Sequence, residues 1–140
     1  MTAKFAYLGY VVEDLSRTIA FYRLLGLEIP EPEPGQEHLE ITLPSGLRLA
    51  WDRLEMIRGL IPDWQHPSGQ RGTPGFLCES AAEVDELFAA VTAAGYQGEA
   101  APYDAPWGQR YATVVDPDGL WVDLYAWLPG REPAEGPQPA

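Results

Sequence analysis

The 140-residue sequence is poor in cysteine and in positive charge. Its single cysteine, Cys78, excludes a disulfide within the chain and is typical of a reducing compartment. Nine Lys and Arg residues stand against 21 Asp and Glu residues, for a formal net charge of -12. A surface that binds phosphates needs an excess of Lys and Arg, so this balance argues against nucleic acid and anionic membranes as partners. It favours a cationic small molecule as the ligand.

Long hydrophobic runs are also missing. No stretch approaches the ~20 apolar residues that a membrane span needs, and the first residues form no apolar signal region. We therefore expect a cytoplasmic protein with no membrane partner. The hydrophobic content of 46% is ordinary for a soluble globular protein. A chain of this length can bury a sizeable core as one compact unit.

The first half of the chain predicts a strand, a helix and a hairpin. Asp14 is a plausible N-cap for the helix, and Gly26 stands where a C′ glycine ends one. The proline-rich segment 30–36 cannot form regular structure. The predicted strands cover residues 4–12, 27–29, 37–43 and 47–52, a short helix is expected over 54–61, and an exposed connection over 62–73.

The second half repeats this order. Ser80 and Glu83 form a capping box at the start of a helix, and Gly95 stands at its end. Asp116-Pro117-Asp118-Gly119 is a tight turn that leads into the last strand. The predicted strands cover residues 74–79, 96–101, 110–115 and about 119–127, with a loop over 101–108.

The last strand carries two different faces. Alternate side chains of a strand point to opposite sides of its sheet. One set is aliphatic and predicts a core face: Leu120, Val122 and Leu124. The other set places one carboxylate between two aromatic rings: Trp121, Asp123 and Tyr125.

The two halves together predict an α+β fold of two tandem βαβββ modules. We expect curved mixed sheets around a cleft, with the helices on the outside, and a cleft is the usual ligand site. A single domain is predicted over 1–127. It comprises module one at about 4–53, a connection at 54–73 and module two at about 74–127, followed by a disordered tail over 128–140.

Three segments resemble the vicinal oxygen chelate superfamily, which contains glyoxalase I, extradiol dioxygenases, fosfomycin-resistance enzymes and bleomycin-resistance proteins. They are the segments 12–27 (VEDLSRTIAFYRLLGL), 106–110 (PWGQR) and 116–123 (DPDGLWVD). The resemblance covers about residues 4–127. It implies the fold and not one reaction, because this fold carries several chemistries and pure binding.

The resemblance also implies where a metal would be held. The enzymes of the superfamily place His or Glu at one position on the first and last strand of each module. Counting seven residues back from the acid at each helix start gives Tyr7 and Phe76. The acid four residues after the turn glycine is Asp123, and the repeat maps it onto Ala50. One carboxylate, one phenol, one methyl and one phenyl do not make a divalent-metal site.

The other candidate groups for chemistry are few. His38 and His66 fall in a mid-module strand and a loop, where we interpret both as solvated residues. Cys78 has no visible positive partner to lower its pKa, and we interpret it as buried and inert. We therefore expect no metal and no cofactor, and an enzymatic activity is not favoured.

Without a metal, the predicted cleft is aromatic and acidic. This combination resembles the bleomycin-resistance proteins, which are acidic, metal-free homodimers that sequester a planar cationic antibiotic without changing it. The resemblance implies a homodimer and a small aromatic or cationic ligand as partner. The predicted ligand-binding residues are Tyr7, Ala50, Phe76, Trp107, Trp121, Asp123 and Tyr125.

Alternative interpretations remain open at this point. The chain could be a metal-dependent glyoxalase-type lyase or isomerase, or a dioxygenase-like enzyme, with atypical ligands. It could also be a non-catalytic scaffold that binds another protein. In the simplest structural interpretation Trp121 and Tyr125 only fill the core, and Asp123 pairs with Arg110 or Arg48.

Overall fold

The computed structural model describes residues 2–133, which divide into two compact units at Gly69 and Gln70. The α+β class is confirmed, with a three-stranded and a four-stranded sheet. Among the described residues, no helix combines the length and the hydropathy that a membrane crossing requires. The elements are β1 (Tyr7–Val12), α1 (Leu15–Leu24), β2 (His38–Thr42), β3 (Arg48–Arg53), α2 (Leu54–Leu60), β4 (Gly75–Leu77), α3 (Ala81–Ala93), β5 (Gly98–Ala105), β6 (Gln109–Val115) and β7 (Trp121–Trp127).

The first unit packs α1 on one face of a sheet with strand order β1-β3-β2. β1 runs parallel to β3, and β2 runs antiparallel to it. The predicted N-cap is confirmed, since the Asp14 side chain accepts a hydrogen bond from the Arg17 amide at 3.2 Å. The core of the unit includes Trp51, which is 1% exposed, with its ring centroid 5.6 Å from that of Tyr22 on α1.

The strand predicted at 27–29 is absent, and module one, at about 4–53, is βαββ instead of βαβββ. The carbonyl of Ile29 accepts hydrogen bonds from the Arg23 guanidinium at 2.9 and 2.7 Å. This guanidinium occupies an acceptor that strand pairing would use. The prolines that follow at 30, 32 and 34 supply no backbone donors for a ladder.

The second unit is βαβββ, as predicted, with strand order β4-β7-β6-β5. β4 runs parallel to β7, and the other neighbours are antiparallel. The Ser80 hydroxyl caps α3 by accepting a hydrogen bond from the Glu83 amide at 3.1 Å. The Glu83 carboxylate accepts a hydrogen bond from the backbone amide of Glu79 at 3.3 Å. The Glu83 carboxylate thus binds the amide of the residue before Ser80, whereas the predicted capping box would have it bind the amide of Ser80 itself.

β5 is longer than its prediction. The strand extends through Pro102 to Ala105, so the loop predicted over 101–108 is reduced to the turn at 106–108. Pairing with β6 shifts twice, between Gly98 and Ala100 and between Ala100 and Tyr103. Such irregular pairing at a sheet edge accommodates a proline, which cannot donate to the ladder.

The chain after β7 turns back on the second unit. The Leu128 amide donates to the Gly108 carbonyl at 3.0 Å, and the Arg131 amide donates to Leu128 at 2.9 Å. Residues 128–133 of the predicted tail therefore begin with a hydrogen-bonded turn. Residues 134–140 of that tail lie outside the described residues.

Candidate functional site

The two faces of β7 differ as its sequence predicts. Val122, Leu124 and Ala126 are at most 1% exposed. α3 packs against this strand, its neighbour β6 and the strand beyond it, β5. The intervening side chains lie on the opposite, open face of the sheet: Trp121, Asp123, Tyr125 and Trp127.

Asp123 is held by two hydroxyl groups from the neighbouring strand β6. The Thr113 hydroxyl donates to Oδ1 at 2.8 Å, and the Tyr111 phenol donates to Oδ2. Thr113 is the direct cross-strand partner of Asp123, and Tyr111 is the next residue of β6 on the same face. Burial, the hydrogen bond to Asp123 and its charge raise the pKa of Tyr111 well above its ordinary value. The phenol is therefore a proton-bearing donor at neutral pH.

Asp123 has no cationic partner among residues 2–133. The interpretation that pairs it with Arg110 or Arg48 is wrong. Arg110 lies on the opposite side of the sheet, where its Nε and Nη2 contact the Asp85 carboxylate at 3.0 and 3.2 Å. Arg48 is bound to Glu40 in the first unit at 2.8 Å.

Five aromatic rings form a connected group on the open face of the second unit, which we call the aromatic group. Its centre is Tyr111, whose ring centroid lies 5.4 Å from that of Trp107 and 6.3 Å from that of Tyr125. Trp107 is 51% exposed and Tyr103 is 41% exposed, so the group offers accessible ring surface. The members are Tyr103, Trp107, Tyr111, Tyr125 and Trp127.

The β5–β6 turn orients Trp107 within this group. Gly108 has φ of 95°, a conformation that favours glycine, and it closes the turn with a hydrogen bond to Ala105 at 3.0 Å. The Trp107 indole N–H donates to the Gln109 side-chain oxygen at 2.6 Å. The ring is thus fixed by its polar edge while part of its apolar surface stays exposed.

Gln70 fixes the beginning of β7, where Trp121 is 39% exposed. Its side chain donates to the Gly119 carbonyl at 2.8 Å and accepts from the Trp121 amide at 3.0 Å. The Asp116 carboxylate holds the same turn from within, since it accepts from the amides of Asp118 and Leu120 at 2.8 and 2.9 Å. Hydrogen bonds from Gln70 and from Asp116 therefore hold the turn that leads into Trp121.

The prediction that Phe76 lies on the ligand face is wrong. Phe76 is in register with Leu124, whose side chain belongs to the buried face, whereas Gly75 and Leu77 are in register with Asp123 and Tyr125. The position was counted from Glu83, but the residue equivalent to Asp14 is the true N-cap Ser80. The error of three residues is odd, and an odd shift moves a strand side chain to the other face.

The first unit carries Tyr7 and Ala50 on the open face of its sheet. Tyr7 is 40% exposed and lies across Gly9, since a Cβ placed there would be 2.8 Å from the phenol oxygen. Its pKa is raised by burial and by the carboxylates of Asp52 and Glu40, against the opposing charge of Arg48. Ala50 is fully buried and offers no exposed surface.

The same open face holds a charged network that the sequence did not indicate. His38 and Asp52 are cross-strand partners, with Nδ1 and Oδ1 2.5 Å apart. Glu40 accepts from Arg48, and its carboxylate lies 3.7 Å from the other nitrogen of His38. His38 is exposed, as interpreted from the sequence, and both of its ring nitrogens also face carboxylates.

The predicted metal set changes with the corrected register. Counted from the N-cap Ser80, the position equivalent to Tyr7 is Thr73, which replaces Phe76 beside Ala50 and Asp123. A threonine hydroxyl and a phenol are poor ligands beside a single carboxylate. Within residues 2–133, no group of three or more His, Cys, Asp or Glu side chains is arranged to hold a metal ion.

A surface pocket of about 450 Å³ lies elsewhere in the first unit, at the start of α1. Its lining includes Glu13, Asp14, Glu33 and Arg53 and none of the seven predicted ligand residues. Asp14 already caps the helix there, and Arg53 is paired with Glu55 at 3.0 Å. We place the candidate site on the open face of the second unit, where aromatic surface and a carboxylate without a cation lie together.

The fold defines a class of protein built from α+β modules with one open sheet face each, and comparison places the chain within it. Residues 4–124 match the model of the Glyoxalase/Bleomycin resistance protein/Dioxygenase superfamily. The chain belongs to this family. A search of curated proteins gives no match.

Solved structures agree with this assignment. A glyoxalase/bleomycin resistance protein/dioxygenase from Nocardioides is 26% identical, with a TM-score of 0.71 over 98% of this chain and 91% of that chain. A family enzyme from Burkholderia phytofirmans PsJN is 19% identical, with a TM-score of 0.75 over 90% of this chain and 100% of that chain. A lactoylglutathione lyase from Agrobacterium tumefaciens is 23% identical, with a TM-score of 0.62 over 89% and 94%. The last two show likeness of fold alone.

Proposed function

We propose that this family member binds a planar aromatic small molecule that carries a positive charge, and that it does so without a metal. The site is the open face of the second unit, and the observation that carries the proposal is Asp123. Its carboxylate has two neutral hydroxyl partners, Tyr111 and Thr113, and no cation among the described residues. A ligand cation supplies the missing charge.

The aromatic group supplies the rest of the affinity. Trp107 and Tyr103 expose about half and two-fifths of their surface beside the rings of Tyr111 and Tyr125. A flat ring that packs in offset or edge-to-face geometry gains ~0.5–1.5 kcal/mol per aromatic pair beyond the burial of area. A cation above such a ring gains ~0.5–2 kcal/mol. The ligand class is therefore flat and cationic.

The groups at Asp123 suit binding more than chemistry. The Tyr111 phenol is protonated at neutral pH, as phenols ordinarily are, its raised pKa moves ionisation further from neutrality, and Thr113 is an ordinary alcohol. Both act as fixed donors that hold the carboxylate in place. The proposed role is sequestration of an antibiotic-like molecule in unchanged form, as in the bleomycin-resistance members of the family.

A titration with paired dyes tests this proposal. N-methylacridinium and its uncharged parent acridine share one ring system, and bleomycin serves as the natural-product probe. We expect quenching of tryptophan fluorescence by N-methylacridinium, with at least tenfold tighter binding than acridine, which corresponds to ~1.4 kcal/mol. Equal affinity of the two dyes, or no response to any of the three probes, would overturn the proposal.

Asp123→Asn removes the negative charge of the proposed site and leaves its aromatic rings in place. It should weaken N-methylacridinium about tenfold and leave acridine unchanged. Asp104→Asn is the matched control, since Asp104 is a carboxylate of the same unit that pairs with Arg110 on the opposite side of the sheet. It removes the same charge and should leave both affinities unchanged.

We further propose a homodimer as the working assembly. Leu77 is 61% exposed on β4, an edge strand of the second unit, and exposed apolar side chains at an edge favour a protein contact. Light scattering during size-exclusion chromatography tests it. A mass near the 15.5 kDa of one chain at all concentrations would contradict it.

A further inference from the structure

Resting on the proposed function, we infer that the ligand meets Asp123 with a planar fork of two N–H donors. The chemical class is an amidinium, a guanidinium or a protonated aminopyrimidine attached to a flat ring. A quaternary ammonium, which carries the same charge without donors, is a poorer fit. The inference follows from how the carboxylate is held.

Two hydroxyls fix the plane of the Asp123 carboxylate. Thr113 binds one oxygen and Tyr111 binds the other, so rotation about the side-chain bond breaks both hydrogen bonds together. Each carboxylate oxygen has about two acceptor positions, and each hydroxyl uses one. One acceptor position is left on each oxygen, and both are held in a fixed orientation.

Both hydroxyls come from β6, on one side of Asp123. On the other side β4 places Gly75 as its direct cross-strand partner. A glycine contributes no side-chain donor and no bulk at this position. Among residues 2–133, Tyr111 and Thr113 are the side-chain donors to this carboxylate, so the two remaining acceptor positions are left to a ligand.

Two fixed acceptors on one carboxylate match a fork of parallel N–H donors. Such bidentate pairs are shorter and about twice as strong as neutral hydrogen bonds, and they select planar donors over a point charge. The ring of Tyr125 lies next to Gly75, the cross-strand neighbour of Asp123, since a Cβ on Gly75 would be 3.4 Å from that ring. The ring joined to the fork can therefore pack against Tyr125 while the fork binds Asp123.

The inference predicts an order of affinity for two matched probes. 2-Naphthamidine is an aryl amidinium, and (2-naphthylmethyl)trimethylammonium carries the same ring and charge without an N–H donor. Calorimetry with the full chain should give at least tenfold tighter binding of the amidine. In Asp123→Asn the affinity for the amidine should fall to the affinity that the same variant has for the ammonium. In Asp104→Asn the affinity for the amidine should not change.

The outcomes separate this inference from the proposed function. Equal binding of both probes, with both weakened by Asp123→Asn, overturns the fork and leaves the cation site standing. Binding of neither probe, or insensitivity of both to Asp123→Asn, overturns the two together. Thr113→Val offers a second measurement, because it frees one oxygen and should reduce the preference for the amidine over the ammonium at least threefold. A preference unchanged in Thr113→Val would contradict the role given to the two hydroxyls in fixing the Asp123 carboxylate.

Discussion

The phenol of Tyr111 donates a hydrogen bond to the carboxylate of Asp123 across the adjacent strands β6 and β7. This single contact joins the aromatic group to the Asp123 carboxylate on the open face of the second unit. It fixes the direction of the carboxylate and, after burial, is the next cause of the raised pKa of the Tyr111 phenol. Both the binding proposal and the stability of the unit depend on it.

Tyr111→Phe tests the contribution of this contact to folding. The ring remains in the aromatic group, but one oxygen of the half-buried Asp123 loses its donor. Hydrogen bonds to charged groups contribute ~1.5–3 kcal/mol. We expect the free energy of unfolding in urea at neutral pH to fall by about that amount. Tyr103→Phe is the control, since its ring is 41% exposed, and it should change stability by less than about 0.5 kcal/mol.

The raised pKa of Tyr111 also predicts a dependence on pH. In the unfolded chain the phenol ionises near its ordinary pKa of 10.0, whereas the folded protein keeps the proton to a higher pH. Its contribution is therefore complete below pH ~10 and is lost as the pH rises above that value. The stability difference between the wild type and Tyr111→Phe should shrink as the pH rises from ~10 to ~12. A constant difference across this range would contradict the shift.

The face assignment of β4 predicts unequal effects for two neighbouring substitutions. Phe76 is in register with the fully buried Leu124, whereas Leu77 is 61% exposed. At protein concentrations where the chain is monomeric, Phe76→Ser should therefore destabilise the protein by ~1–3 kcal/mol, and Leu77→Ser by less than about 0.5 kcal/mol. Chemical denaturation of both variants measures this. The reverse order would restore the ligand-face position first expected for Phe76.

Substitution of Arg110 should change the stability of the protein without changing ligand binding. It bridges Asp85 on α3 to Asp104 on β5, on the side of the sheet away from Asp123. The partners are half-exposed, so Arg110→Gln should cost no more than ~1 kcal/mol, and the difference should diminish in high salt. The affinity for N-methylacridinium should be unchanged. A large loss of affinity would mean that Arg110 acts at the site after all.

Gln70 predicts a local effect on the start of β7. Gln70→Ala removes the hydrogen bonds to the Gly119 carbonyl and the Trp121 amide. Amide hydrogen exchange should be faster at Trp121, while exchange in the buried centre of β7 stays slow. Gln97→Ala is the control, since the Gln97 side chain is bound only weakly, to Glu99 at 3.4 Å. It should leave exchange at Trp121 unchanged.

The sequence predicts most of the fold because its local signals agree with one another. The caps at Asp14 and Ser80 and the alternation along β7 all appear in the structure. The missed features depend on side-chain contacts that residue patterns do not mark. The Arg23 guanidinium binds the carbonyl of Ile29, six residues further on, and residues 27–29 form no strand.

The candidate site was predictable in part. Asp123 and Tyr125 follow from parity on β7. Tyr111 and Thr113 were missed, although counting outward from the Asp116–Gly119 turn pairs Val115 with Trp121 and so Thr113 with Asp123. Gln70 carries no local signal, because its partners are about fifty residues away in the chain. The cleft expected between the modules and the ligand role of Ala50 and Tyr7 stay predictions.

The turn that follows β7 has a practical consequence for how the protein is handled. The Leu128 amide is bonded to Gly108, and the Arg131 guanidinium lies so close to this glycine that a Cβ there would be 2.7 Å away. Gly108 directly follows Trp107 in the turn. A purification tag joined soon after Arg131, or a truncation after Trp127, would therefore disturb the turn that positions Trp107. Tags and surface tethers belong at the other end of the chain.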